Sequence, residues 1–317
     1  MVLDSVAAEE RIRGRVIETP LILSEWLSKI AGAQVYLKLE NLQNTGSFKL
    51  RGAANKLLSL PAPQMRRGVV TASNGNHALA VAVISGMLGI PAEVFVSEHI
   101  DPARLDRIRA AGATASVVEG DCLLAESRAR SEGERSGRVY ISPYNDMEVM
   151  AGQGSIAVEL LRREPELDAV LIAVGGGGLI GGVGSHFKEF SPETEIVGCW
   201  PSNSRALYEC LRAGKIIDVE EHSTLSVSTA GGIEPGSVTF PIAQRVIDHS
   251  VLIDENSILA ALRGVYRHDR QLVEGAAGVA VAGFLQDASR YAGKRVAILL
   301  CGGNVDAALV KRIQDWP

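Results

Sequence analysis

The chain has 317 residues, 46% of them apolar, a formal net charge of −5 and no long basic run. That length suffices for one large core or two domains. The charge excludes nucleic acid as a main partner. The four cysteines, Cys122, Cys199, Cys210 and Cys301, show no CxxC spacing, so neither a zinc site nor a disulfide framework is expected. The charged, helical N-terminus "MVLDSVAAEERIRGRV" lacks the apolar core of a signal peptide. No stretch reads as a membrane span, and a reducing cytoplasm is the expected setting. Aromatics are scarce at 5% and glycines number 33, a balance that suits Ala/Val/Ile/Leu layers joined by glycine-rich turns.

In chain order, "AQVYLKLE" (33–40) and "GVVTA" (68–72) read as strands, the second followed by a turn and a helix through "HALAVAVISGMLG". Next come the strand "AEVFV" (92–96), the helix-like "DPARLDRIRAAGA", "TASVVEG", the helix "CLLAESRARSEGER" and the strand "RVYIS". "VMAGQGSIAVELLRR" has a helical period, "DAVLIAV" (168–174) is a buried strand, and "EIVGCW" and "RVAILLC" (295–301) are two more. Strand and helix periods alternate almost throughout, which predicts an α/β chain with mostly parallel sheet and helices on both faces. The strand–helix units of about 68–145 are compact enough to form a small domain (68–145) inserted into a larger one (1–67 plus 146–317).

Three turns adjoin these strands: "SNGNHA" (73–78), "GGGG" (175–178) and "CGGN" (301–304). Four successive glycines remove every Cβ, so backbone N–H groups and the following helix dipole can converge on a phosphate; the same glycines also suit a tight turn with close helix–strand packing. The turn is neither a P-loop nor GxGxxG. "SNGNHA" offers hydroxyl, amide and imidazole groups to a pocket wall, or simply caps a helix. Lys49 in "NTGSFKLRG" is either a surface charge at a helix start or an amine that burial activates toward an aldehyde. An amine plus a phosphate loop is what pyridoxal phosphate requires.

"LKLENLQNTGSFKLRGA", "TASNGNHALA", "AGQGSIAVELL", "GGGGLIGG" and "CGGNVD" follow one another in this order. Together they resemble the fold type II (tryptophan synthase β-like) pyridoxal-phosphate enzymes, within them the threonine/serine dehydratase and serine racemase branch. The resemblance spans nearly the whole chain. It implies two doubly wound three-layer domains, the smaller inserted in the larger, a homodimer, a small amino-acid substrate and pyridoxal 5'-phosphate as cofactor. It also implies that Lys49 holds the cofactor as a Schiff base and moves protons, Phe48 packs beside the ring and Asn76 bonds the ring hydroxyl. Gly175, Gly176, Gly177 and Gly178 cradle the phosphate, Gly232 lies beside the cofactor and Cys301 faces the pyridine nitrogen. Ser73, Asn74, Gly75 and His77 line the side that grips the substrate carboxylate. The expected reaction is β-elimination from a 3-hydroxy amino acid, threonine or serine first, to a 2-oxo acid and ammonia.

Four departures narrow that expectation. Racemases of the branch read "SSGNH", with a serine that protonates the carbanion; here Asn74 stands there, a poor proton carrier, which ranks racemisation of serine or aspartate below dehydration. The branch's cation site, an "EPSNADD"-like run, is "WPSNSRA" (200–206) here; with Trp200 and Ala206 in place of acidic residues, no metal is expected. "LVEGAAGVA" (272–280) replaces the commoner "EPSGA" and shares its "VEGA" with dehydratase-like enzymes assigned to ectoine breakdown, which opens specialised substrates such as phenylserine, 3-hydroxyaspartate or an ectoine-catabolic amino acid. Glu274 is placed near the ring without a catalytic role, and Tyr144 at the site's edge. The chain ends soon after "CGGNVD", so no regulatory domain and no feedback by isoleucine are expected, as in a catabolic or specialised enzyme.

Overall fold

The computed structural model describes residues 3–315. After α1 (Ser5–Ile12) come β1 (Leu21–Leu23), α2 (Glu25–Ala31), β2 (Gln34–Lys38), α3 (Lys49–Leu58) and α4 (Ala62–Arg67). The next stretch holds β3 (Val69–Ala72), α5 (Asn76–Leu88), β4 (Ala92–Ser97), α6 (Pro102–Ala110), β5 (Thr114–Val118), α7 (Cys122–Ser136) and β6 (Val139–Tyr140). Then follow α8 (Met147–Arg163), β7 (Ala169–Ala173), α9 (Gly178–Phe190), β8 (Glu195–Pro201), α10 (Ala206–Ala213), α11 (Thr239–Val246) and β9 (His249–Ile253). The chain closes with α12 (Glu255–Gly264), α13 (Gly275–Gln286), β10 (Arg295–Leu299) and α14 (Ala307–Gln314). Among the described residues no helix is long and apolar enough to cross a membrane.

The strands form two sheets. One has six strands in the order β1-β2-β10-β7-β8-β9, the other four in the order β5-β4-β3-β6. All neighbours are parallel except β1, which runs antiparallel to β2. Every residue of β7, "AVLIA", is buried, as a strand covered on both faces by helices requires. The sequence reading has neither β1 nor β9. β1 has only three residues, too few to show a period, and β9 is a half-exposed edge whose weak alternation sets no pattern.

The two sheets are joined through α3 and α8. Leu50, Ala53 and Leu57 of α3 pack with Val69, Val81 and Ile84 around the four-stranded sheet. The other side of α3 meets α8 so closely that a Cβ on Gly152 would lie 2.6 Å from the Arg51 carbonyl oxygen, and one on Gly182 of α9 would overlap that of Met150. The "AGQGS" run is thus a backbone-to-backbone contact between helices. Beneath it lies a fully enclosed charge cluster. Arg51 donates to Glu40 (2.8 and 2.9 Å) and to Glu159 (2.5 and 2.9 Å), while Lys38 donates to Glu159 (2.5 Å) and the Thr19 carbonyl (2.8 Å). Two cations face two anions, so no buried charge is left uncompensated, and β2, α3 and α8 are locked at one angle.

Candidate active site

The C-terminal ends of β2, β10 and β7 lie side by side, and the turn after β3 faces them across a cavity of about 370 Å³. Open α/β sheets bind ligands at such strand ends. Phe48, Lys49, Ser73, Asn74, Gly75, Asn76, His77, Gly175, Gly176, Gly177, Gly178, Gly232 and Cys301 all line it.

Because β10 inserts between β2 and β7, its turn is stitched to the turn that carries the lysine. The Phe48 amide donates to the Cys301 carbonyl (3.1 Å) and the Gly303 amide to the Gly46 carbonyl (2.9 Å). Lys49 begins α3, with Nζ 5.1 Å from the centre of the Phe48 ring and donating 2.8 Å to the Pro143 carbonyl. Burial lowers the Lys49 pKa to about 8, against the opposing pull of Glu274. A neutral amine is therefore accessible near physiological pH. Burial pushes the Cys301 thiol well above its ordinary range, so this group is an uncharged SH.

Two of the helices that start at the cavity leave their first turns open, unlike five helices that are capped by aspartate. α6, α7, α8, α12 and α14 each begin at an aspartate whose side chain accepts a first-turn amide. α5 and α9 begin at Gly75 and Gly177, with no side-chain cap. Their first-turn N–H groups and positive dipole ends are open to an anion. The tetraglycine turn serves packing as well. A Cβ on Gly175 would lie 2.8 Å from Thr229 Cα and one on Gly176 2.5 Å from Tyr144 Cγ, and Gly177 has φ +86°. The ring of Tyr144 thus rests against the loop, its hydroxyl accepting the Glu234 amide at 3.1 Å.

On the opposite wall, Asn74 is held at both ends by Ser97. Its Nδ2 donates to Ser97 Oγ (2.6 Å) and its Oδ1 accepts the Ser97 amide (2.9 Å). His77 pairs through Nε2 with the Ile141 carbonyl at 3.0 Å; a carbonyl accepts, so Nε2 carries the proton and Nδ1 is an acceptor. Burial, with Lys49 nearby, lowers the His77 pKa to about 3. Its imidazole is therefore neutral and cannot donate to a carboxylate, which the α5 amides can. Asn76 donates through Nδ2 to both oxygens of Glu274 (3.0 and 2.9 Å). Burial raises the Glu274 pKa, against the hydrogen bonds from Asn76 and Ser228. Gly275 follows because a Cβ there would overlap the Leu225 carbonyl, a packing reason for "VEGA".

Several cavity groups escape the sequence reading. Arg104 and Glu126 line the cavity. Arg130 of α7 bridges Glu126 (2.7 Å) and Glu234 (2.8 Å), tying the helix to the loop before α11. None of these residues lies in a local motif; Asn304, part of "CGGN", lies behind the cavity wall and bonds Asn76. Trp200 lies in β8, buried and edge-on to Tyr208 (5.6 Å between centres). Among the described residues, no three His, Cys, Asp or Glu side chains gather as a metal site.

The donor set suits pyridoxal phosphate: an amine with lowered pKa for its aldehyde, uncapped amides for its phosphate, and an uncharged thiol that places no anion beside its ring. Residues 12–302 match the family described as pyridoxal-phosphate dependent enzyme. The L-threonine ammonia-lyase of Thermotoga maritima is 37% identical over 311 residues, covering 98% of this chain and 77% of that protein. The serine racemase of Arabidopsis thaliana is 34% identical over 310 residues, covering 96% and 93%. The structure of the processed form of threonine deaminase isoform 2 from Solanum lycopersicum superposes with a TM-score of 0.93 at 32% identity, covering 98% of this chain and 92% of that one. Site chemistry, fold and sequence agree: the chain belongs to the fold type II pyridoxal-phosphate-dependent enzymes, in the threonine dehydratase and serine racemase branch, with pyridoxal phosphate as its cofactor.

Proposed function

We propose that the protein eliminates the β-hydroxyl of a 3-hydroxy amino acid, L-threonine or L-serine first, to release a 2-oxo acid and ammonia. The observation that carries this reading is the contrast between Lys49 and Asn74. Elimination needs one base, and Lys49, with a pKa near 8, is suited to take the α-proton that then leaves with the β-hydroxyl. Inversion needs a second proton carrier on the other face, and Asn74 is a carboxamide already bonded twice to Ser97.

Lys49 and Phe48 form one side of the seat, Gly175 to Gly178 hold the phosphate through backbone amides, and Asn76 bonds the ring hydroxyl. The substrate carboxylate sits on the open amides of α5, beside Ser73 and Gly75, with the neutral His77 behind it. Bound pyridoxal phosphate supplies the electron sink for the α-carbanion. The uncharged Cys301 thiol would place no anion beside the ring nitrogen of the bound cofactor, and the proton that Lys49 takes from the α-carbon balances the departing β-hydroxide as water. The freed enamine tautomerises and takes up water, giving the 2-oxo acid and ammonia.

Racemisation is the competing reading, favoured by the likeness to the Arabidopsis serine racemase. A panel of threonine, serine, phenylserine and 3-hydroxyaspartate, scored for ammonia, 2-oxo acid and inverted amino acid, separates the two. Ammonia release should exceed inversion for every substrate turned over; inversion of serine at an equal or greater rate would overturn the proposal.

A further inference from the structure

Asn76 can serve a ring hydroxyl as a donor only if its amide nitrogen, not its oxygen, faces the cavity. An isolated carboxamide has no such preference, because its two ends are nearly the same shape. Glu274 accepts from one end of Asn76 at the cavity wall, and bonds beyond the cavity fix the other end. Asn304, in the turn after β10, donates through Nδ2 to the Thr45 carbonyl (2.9 Å) and to Asn76 Oδ1 (2.8 Å). Its own Oδ1 accepts from Arg107 Nη1 (3.0 Å), and its backbone carbonyl accepts from Arg104 Nη2 (3.4 Å).

A backbone carbonyl only accepts and a guanidinium only donates. Thr45 and Arg107 therefore fix which end of Asn304 is nitrogen, and Asn304 in turn assigns Asn76 Oδ1 to itself. Asn76 Nδ2 is thereby turned to the cavity wall, where both oxygens of Glu274 accept from it. Gly46 makes room for this arrangement, since a Cβ there would stand 2.9 Å from Asn304 Oδ1.

We infer that Asn304 is a positioning residue: it holds the Asn76 amide in the one orientation that presents a donor to the cofactor, and it links that orientation to Arg107 on α6 of the four-stranded sheet. This rests on the reading of Asn76 as a cofactor contact. The chain of bonds also makes the docking of α6 and the aim of Asn76 interdependent, because both pass through one side chain.

The test is the affinity of the cofactor-free protein for pyridoxal phosphate and the visible absorption of the reconstituted protein, in Asn304→Asp, Arg107→Ala and Asn76→Ala. Asn304→Asp keeps the acceptor for Arg107 but sets a carboxylate oxygen against Thr45 O and Asn76 Oδ1. It should weaken the affinity about tenfold and shift the absorption band, and Asn76→Ala should do the same. Arg107→Ala, an exposed change that leaves the fold intact, should weaken the affinity about twofold. A lower thermal midpoint for Asn304→Asp with unchanged affinity and band would overturn the inference, as would an unchanged affinity in Arg107→Ala if Asn304→Asp does not fold. An unaltered Asn76→Ala would instead sink the assignment of Asn76 itself, and the two failures are distinguishable.

Discussion

The two walls of the cavity are built on different principles. The six-stranded sheet offers its wall mostly as backbone: the glycine turn after β7, the uncapped start of α9 and the stitched turns after β2 and β10. These sit on strands with almost no exposed residue, so their positions are fixed by close packing. The four-stranded sheet adds side chains, Asn74 and Asn76 among them, to the open amides of α5, on a layer whose outer strand β5 and helices α6 and α7 are largely solvated. Its wall is kept in place by a few polar bonds across the gap, Arg130 to Glu234 and Arg107 to Asn304. A rigid backbone wall suits a permanent cofactor, and a wall held by exchangeable bonds suits a substrate that must enter and leave.

The largest expected effect breaks the rigid wall at its reactive group. Lys49→Ala should lower turnover by about 10³-fold or more and abolish the visible absorption of the bound cofactor. Lys49 also predicts the pH course of loading. Its pKa is lowered, so the neutral amine is present at lower pH than in an ordinary lysine. The initial rate of pyridoxal phosphate uptake should fall about tenfold per pH unit below pH 8 and level off above it; a rate that keeps rising toward pH 10 would contradict an amine with pKa near 8.

A smaller effect is expected from a single methyl group in the same wall. Gly176→Ala drives a Cβ into the Tyr144 ring, an overpacking that costs about 1–3 kcal/mol and should weaken cofactor binding by about tenfold. Tyr144→Ala in the same chain should restore part of it, measured by equilibrium reconstitution. The smallest effect belongs to the adjustable wall. Glu234→Gln removes the charge that Arg130 meets on the facing loop. Such half-exposed pairs contribute about 0–1 kcal/mol, so KM should rise by no more than about fivefold while cofactor affinity stays as in the parent. Equal losses in both would mean that the Arg130–Glu234 contact, like that of Arg107 with Asn304, couples the substrate wall to the cofactor.

The local signals in the chain mark both walls unequally. "DAVLIAV" and "RVAILLC" are readable as buried strands because parallel strands covered on both faces are continuously apolar. The glycine run and "SNGNH" are readable as turns because they lie between strand and helix periods. Arg130, Glu234 and Arg104 are not readable, since a charged residue on a solvated helix or loop looks the same whether or not it meets a partner. β1 and β9 are missed for want of length and burial.

Sequence alone determined the alternation of strand and helix, the placing of glycine where a side chain would collide, and the identities of the amine, the amides and the thiol. Only the tertiary structure decided how they meet. The last strand enters between β2 and β7, and this brings the Cys301–Asn304 turn beside both Lys49 and the glycine loop. No residue encodes that order locally, because strand neighbours are chosen by the burial of whole faces. The same holds for the orientation of Asn76: the residue type permits two, and partners from distant parts of the chain select one.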